Sequence, residues 1–100
     1  MQLKFTPSAR TQFLEGITYI KQDNPGAARH FRQRVEDVLR RLIAFPGADK
    51  VIREFQDLPF REIVVPPYRF FYQIKKDFIW IVAVWHSAQR VDLPDSGRTK

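Results

Sequence analysis

Three residues in the second half of the chain carry side chains suited to work on a phosphate: Arg61, Arg69 and His86. Each stands at the end of an apolar, β-prone run, where a long side chain reaches past a sheet edge. Arg61 opens one run, Arg69 lies at the start of the next, and His86 closes the last. Antiparallel neighbours set the start of one strand beside the end of its partner. Arg69 and His86 are therefore expected at one end of the sheet, with Arg61 at the other. A guanidinium and an imidazole held close together can bind a phosphate and move a proton. RNA cleavage asks for such groups: a base for the 2′-hydroxyl, an acid for the leaving oxygen, and positive charge on the phosphorane. The same residues admit a plainer reading, in which Arg69 pairs with Glu62 and braces the sheet while His86 packs.

The elements that must position these groups follow from hydrophobic spacing. Leu3 and Phe5 alternate with Gln2, Lys4 and Thr6, the period of a short strand with one buried face. Thr6-Pro7-Ser8 is a helix start. Ala9, Phe13, Ile17 and Ile20, with Leu14 beside them, line one side of a helix that Asp23-Asn24-Pro25-Gly26 closes. A second helix from near Pro25 carries Ala28, Phe31, Val35, Val38, Leu39, Leu42 and Ile43, and Phe45-Pro46-Gly47 ends it. Two amphipathic helices with so short a link form a hairpin. Its other side bears Arg29, Arg32, Arg34, Arg40 and Arg41, interspersed with Glu36 and Asp37, the pattern of a solvated face with ion pairs along the helix.

Residues 51–60 have no firm period and read as loop with a short helical turn. Three apolar runs follow: Arg61 to Val65, Tyr68 to Lys75 and Phe78 to Trp85, parted by Pro66-Pro67 and by Lys75-Lys76-Asp77. The expected order is β-α-α-β-β-β, an α+β fold with a helical hairpin laid on an all-antiparallel sheet. The run Ile79 to Trp85, apolar throughout, is placed centrally. In the middle run, Arg69, Phe71, Gln73 and Lys75 share the half-polar face and are expected to line a groove. Among the aromatic residues that could stack on bases, Tyr72, Trp80 and Trp85 read as buried packing, and Tyr68, after two prolines, as the exposed one. A single domain over residues 1–91 and a flexible tail over 92–100 complete the organisation.

Composition narrows the function classes. The 100 residues are 44% hydrophobic and 14% aromatic, too apolar for a disordered chain. Cysteine is absent, so disulfides and thiolate metal sites are excluded, and His30 and His86 stand too far apart to suggest a metal pair. No metal and no cofactor is expected. No apolar stretch approaches the roughly 20 residues that span a bilayer, and the first residues lack the apolar core of a signal peptide. A cytoplasmic protein without a membrane partner is the expectation. Seventeen Lys and Arg against 11 Asp and Glu give a net charge of +6, which suits an acidic partner.

The stretch Leu58-Pro59-Phe60-Arg61-Glu62-Ile63-Val64-Val65-Pro66-Pro67-Tyr68-Arg69-Phe70-Phe71-Tyr72 resembles the RelE/ParE superfamily of toxins from type II toxin–antitoxin modules. Those proteins show an Arg-Glu pair opening a strand, a turn, Tyr-Arg, and then an apolar-apolar-Tyr step. Val84-Trp85-His86 matches the usual end of the following strand. The similarity takes in almost the whole chain, including the Asn24-Pro25 junction and the Phe45-Pro46-Gly47 exit. It implies a toxin neutralised by a cognate acidic antitoxin in a toxin–antitoxin hetero-oligomer, with Arg61, Glu62, Tyr68, Arg69, Arg41 and Arg90 as target- or antitoxin-binding residues.

Two mechanisms divide the superfamily. ParE-like members inhibit DNA gyrase, and the Arg-Glu-Ile-Val-Val…Pro-Tyr-Arg run is their form. RelE-like members are endoribonucleases that cut mRNA on the ribosome. Here Ser87-Ala88-Gln89-Arg90-Val91 lacks the Tyr of the ribonuclease set, and also the Arg pair that ParE-like proteins often carry after the His. Under the ribonuclease alternative, His86 is the acid/base and Arg69 the phosphate clamp. A basic interaction domain without toxicity is the third reading.

Overall fold

The computed structural model describes residues 1–46 and 60–88. The chain runs β1 (Gln2–Phe5), α1 (Pro7–Asp23), α2 (Pro25–Ala44), β2 (Arg61–Val65), β3 (Tyr68–Lys75) and β4 (Phe78–His86). The expectations for the 51–59 loop, for Arg90 and for the 92–100 tail lie outside the described residues.

Local chemistry sets the helix ends as the sequence indicates. Thr6 caps α1, its Oγ1 accepting from the Ala9 N–H at 3.2 Å, with Pro7 in the first turn. Asn24 serves both helices. Its N–H donates to the Ile20 carbonyl at 2.9 Å, and its Oδ1 accepts from the Ala27 N–H at 3.0 Å. One residue therefore closes α1 and opens α2, and side-chain capping of this kind contributes about 0.5–2 kcal/mol.

The sheet has the order β1-β4-β3-β2. β2–β3 and β3–β4 are antiparallel, but β1 pairs with β4 in parallel, Gln2 opposite Phe78 through Phe5 opposite Ile81. The expected all-antiparallel sheet is thus corrected to a mixed one. The reason is topological: a parallel neighbour needs a long crossover, and the chain segment between β1 and the remaining strands is long enough to let the first strand return beside the last.

One face of the sheet carries the helices. Ile63, Val65, Tyr68, Phe70, Tyr72, Ile79, Ile81 and Val84 pack there with Ala9, Phe31, Val35 and Leu42. Phe13 joins them, its ring 5.6 Å from Phe5, 6.2 Å from Phe31 and 5.9 Å from Phe70. The opposite, outer face holds a second cluster, Phe60, Phe71, Val82 and Ala83, flanked by Trp80 and Trp85. Both faces of β4 are apolar, the helix face buried through Ile79, Ile81 and Val84 and the outer face buried at Val82 and Ala83, with Trp80 and Trp85 half-exposed.

The β3–β4 ladder is not regular. Phe71 faces Ala83 and Tyr72 faces Ile81, so Val82 is an extra residue on β4. A bulge shifts the side-chain parity of everything beyond it. Before it, Ile79 and Ile81 point at the helices. After it, Val84 and His86 do.

Candidate functional site

The shifted parity decides where the chemistry-bearing residues go. Tyr68 pairs with His86, and Arg69 with Trp85, so Arg69 and His86 do share one end of the sheet. They lie on opposite faces. Arg69 is on the outer face, its Cζ 5.1 Å from the Phe71 ring centroid and its Nε donating to Glu62 Oε2 at 2.5 Å. Only 15% of the Arg69 side chain and 20% of that of Glu62 are exposed, so this ion pair braces β2 against β3 rather than waiting in solvent. His86 is on the helix face, edge-on to Tyr68 with ring centroids 5.3 Å apart.

Tyr68 corrects the expectation of an exposed ring. It is 7% exposed, held between His86 and Phe31, whose centroid is 5.5 Å away. After Pro66-Pro67 the chain turns straight back, so Tyr68 is the register partner of Val65 and takes the core face. Burial, helped by the neighbouring Tyr19, raises the Tyr68 phenol above its ordinary pKa of 10.0. The half-exposed stacking candidates are instead Trp80 and Trp85.

Around Tyr68 and His86 opens a cleft of about 430 Å³ between α1 and the end of β4, lined also by Gln12, Glu15, Gly16, Tyr19, Val84 and Trp85. α1 lies unusually close here. A Cβ on Gly16 would sit 3.0 Å from Tyr68 Cζ and 3.3 Å from its Oη. Gln12 reaches across to β4, where its Oε1 accepts from the Val84 N–H at 2.8 Å. That donor needs a side chain because β1 pairs with β4 only as far as Ile81. At the lip of the cleft, His86 Nδ1 accepts from the Ala88 N–H at 3.1 Å, which leaves the proton of the neutral ring on Nε2. The Ser87 N–H donates to the Pro67 carbonyl at 2.8 Å and closes the β4 end against the β2–β3 turn.

Sequence reasoning did not find Gln12, Glu15, Gly16 or Tyr19. Gly16 alone left a trace: it continues the Ala9, Phe13, Ile20 stripe, and a glycine inside a helix stripe marks close approach of another element. The remaining candidates scatter. Arg41 is exposed in the last turn of α2, and Arg61 is half-buried opposite Tyr72 on the first residue of β2. Arg90 lies outside the described residues. Among the described residues no group of three or more His, Cys, Asp or Glu side chains could hold a metal ion, and no helix is long and apolar enough to cross a membrane.

A helical hairpin laid over one face of a small mixed sheet is an architecture this chain shares with a solved structure, the chromosomal ParDE toxin–antitoxin system from P. aeruginosa. The TM-score is 0.69 at 20% identity, over 86% of this chain and 95% of that one, a likeness of fold. No curated protein matches the chain. The model of the ParE toxin of the type II toxin–antitoxin system parDE matches residues 3–91, and the chain belongs to that family.

Proposed function

We propose that this ParE-family toxin acts by inhibiting DNA gyrase through binding, without chemistry of its own, and that a cognate acidic antitoxin neutralises it. One observation carries the choice of mechanism. Arg69 is engaged with Glu62 on the outer face while His86 sits edge-on to Tyr68 on the helix face. A phosphate clamp and a proton-transfer group must touch the same phosphate, and these two are separated by the sheet. The mRNA-cleaving alternative thus lacks its paired groups.

The net charge of +6 favours an acidic antitoxin, and the exposed Arg41 together with the half-buried Arg61 would meet its carboxylates. Long-range attraction of this kind is screened by salt, so the association rate should fall as salt rises.

The test of the target is a supercoiling assay with purified gyrase and increasing toxin, run beside an mRNA-cleavage assay on translating ribosomes. Loss of supercoiling with intact mRNA is the expected result. Unchanged supercoiling at toxin excess would overturn the gyrase reading.

A further inference from the structure

The outer face of the sheet carries a second feature, at the end away from Arg69 and His86. Two register rows cross β1, β4 and β3 there. One reads Lys4, Trp80, Gln73 and the other Gln2, Phe78, Lys75. Residues in one row share a face, and alternation along each strand puts both rows on the face opposite the helices. The contacts agree: Lys4 Nζ lies 4.8 Å above the Phe78 ring, and the Phe78 and Trp80 rings are 5.9 Å apart. Gln2, Lys4 and Lys75 are exposed, and Gln73, Phe78 and Trp80 are half-exposed.

The composition of this patch is selective. Two aromatic rings stand at its centre, a lysine flanks them on each side, and two amides complete it. No carboxylate lies in either row, and the adjoining turn adds Lys76 and Asp77, whose charges cancel. Neither Lys4 nor Lys75 has an ion-pair partner among the described residues. Three arginines elsewhere are tied down: Arg69 to Glu62, Arg40 to Asp37 at 3.1 Å, and Arg34 to the Pro66 carbonyl at 2.6 Å. Aromatic rings beside cations without carboxylate partners are a recurrent means of holding single-stranded nucleic acid, the rings taking bases and the cations taking the backbone.

The spacing favours a single strand over a duplex. Bases stacked within a duplex repeat at about 3.4 Å, whereas the two ring centroids are 5.9 Å apart and tilted by 40°. Bases resting on both rings must be parted from each other, which pairing in a duplex resists.

We propose that this face, centred on Trp80 and Phe78 and flanked by Lys4 and Lys75, is a binding site for single-stranded nucleic acid. The site goes beyond gyrase inhibition and stands apart from the cleft at His86.

A fluorescein-labelled ten-nucleotide thymidine strand, titrated with the full chain at low salt and followed by anisotropy, tests it. The expected result is saturable binding, at least tenfold tighter than that of a ten-base-pair duplex. Trp80→Ala should weaken it about 10–100-fold, in line with the loss of one base–aromatic stack. Because Trp80 also packs against the outer cluster, Lys4→Gln/Lys75→Gln is the companion variant, both positions being exposed. It should lower the steepness of the log–log salt dependence by about 1.4, the share of two phosphate contacts on a single strand. Three results would each overturn the proposal: absence of binding, a duplex bound as tightly as the single strand, or a double-lysine variant indistinguishable from wild type. Displacement of the strand by an equal concentration of a ten-residue polyglutamate would do so as well, marking the face as a general acidic-protein surface. The measurement contains no gyrase, so its failure is distinct from failure of the gyrase reading.

Discussion

Arg69 and His86 stand one register step apart at the same end of the β3–β4 ladder and on opposite faces of the sheet. The separation is produced by one residue. Had β4 alternated without interruption from Ile79, His86 would have emerged on the face of Trp80, beside Arg69. The unpaired Val82 moves it to the helices, where it meets Tyr68.

Because deleting the extra residue leaves its neighbours on their own faces, the bulge is expected to matter chiefly through the side chain it carries. Val82→Ala removes two methyl-sized groups and should cost about 1–2 kcal/mol. Deleting residue 82 restores simple alternation with Ile81, Val84 and His86 still on the helix face and Ala83 and Trp85 still on the outer face, so it should cost about as much as the alanine variant. Urea denaturation of the two variants checks this, and a deletion several times worse than the alanine variant would show that the bulge geometry itself holds the strand.

Glu62 and Arg69 offer a measurement of how far the brace supports the sheet. Either single alanine variant removes one half of a partly buried ion pair and should destabilise by about 1–3 kcal/mol. Removing both takes away the pair's coupling once only, so the double variant should fall short of the sum by about 1 kcal/mol. Strict additivity in a denaturant-based double-mutant cycle would dissolve the claimed coupling.

At Gly16 two effects oppose each other. Alanine in a helix interior is favoured over glycine by about 1 kcal/mol, while crowding a packed site costs about 1–3 kcal/mol. Tyr68 cannot yield, since it is wedged between Phe31 and His86. Gly16→Ala should therefore lower stability despite its better helix propensity, and a gain in the urea midpoint would mean that Tyr68 has room to move.

Alkaline pH should unfold the protein partly through Tyr68. Its folded-state pKa is raised above 10.0 by burial and then by Tyr19. Between the unfolded and folded values the unfolded chain loses the phenolic proton and the native one keeps it. Stability is then full below pH 10 and falls as pH rises towards the folded value. Tyr68→Phe should flatten that decline. A wild-type and variant pair with parallel stability profiles from pH 9 to pH 11 would remove Tyr68 as the cause.

Much of the architecture was legible because it rests on local patterns. The Thr6-Pro7 and Asn24-Pro25 signals mark helix starts, the stripe through Phe31, Val35 and Leu42 marks the buried side of α2, and the Pro66-Pro67 and Lys76-Asp77 breaks delimit the strands. What depends on pairing was not. The parallel partnership of β1 with β4 is a choice among edges that hydrophobic period does not encode. Val82 looks like any other residue of an apolar run, so the face of His86 could not be read. The cleft suffered likewise: Gln12, Glu15 and Tyr19 sit on the polar side of α1 in sequence, and only tertiary approach makes them neighbours of Tyr68. The Arg69–Glu62 brace, by contrast, was foreseeable as the plainer of two readings, since both residues flank one short turn.

β1 shelters no more than the opening stretch of β4. Past Ile81 the same strand becomes a bare rim, of the sort that invites another chain to zip alongside and grow an aggregate. Gln12 plugs the Val84 donor there and α1 leans over it. An amide side chain thus stands in for a missing strand where the β4 edge would otherwise offer a free donor.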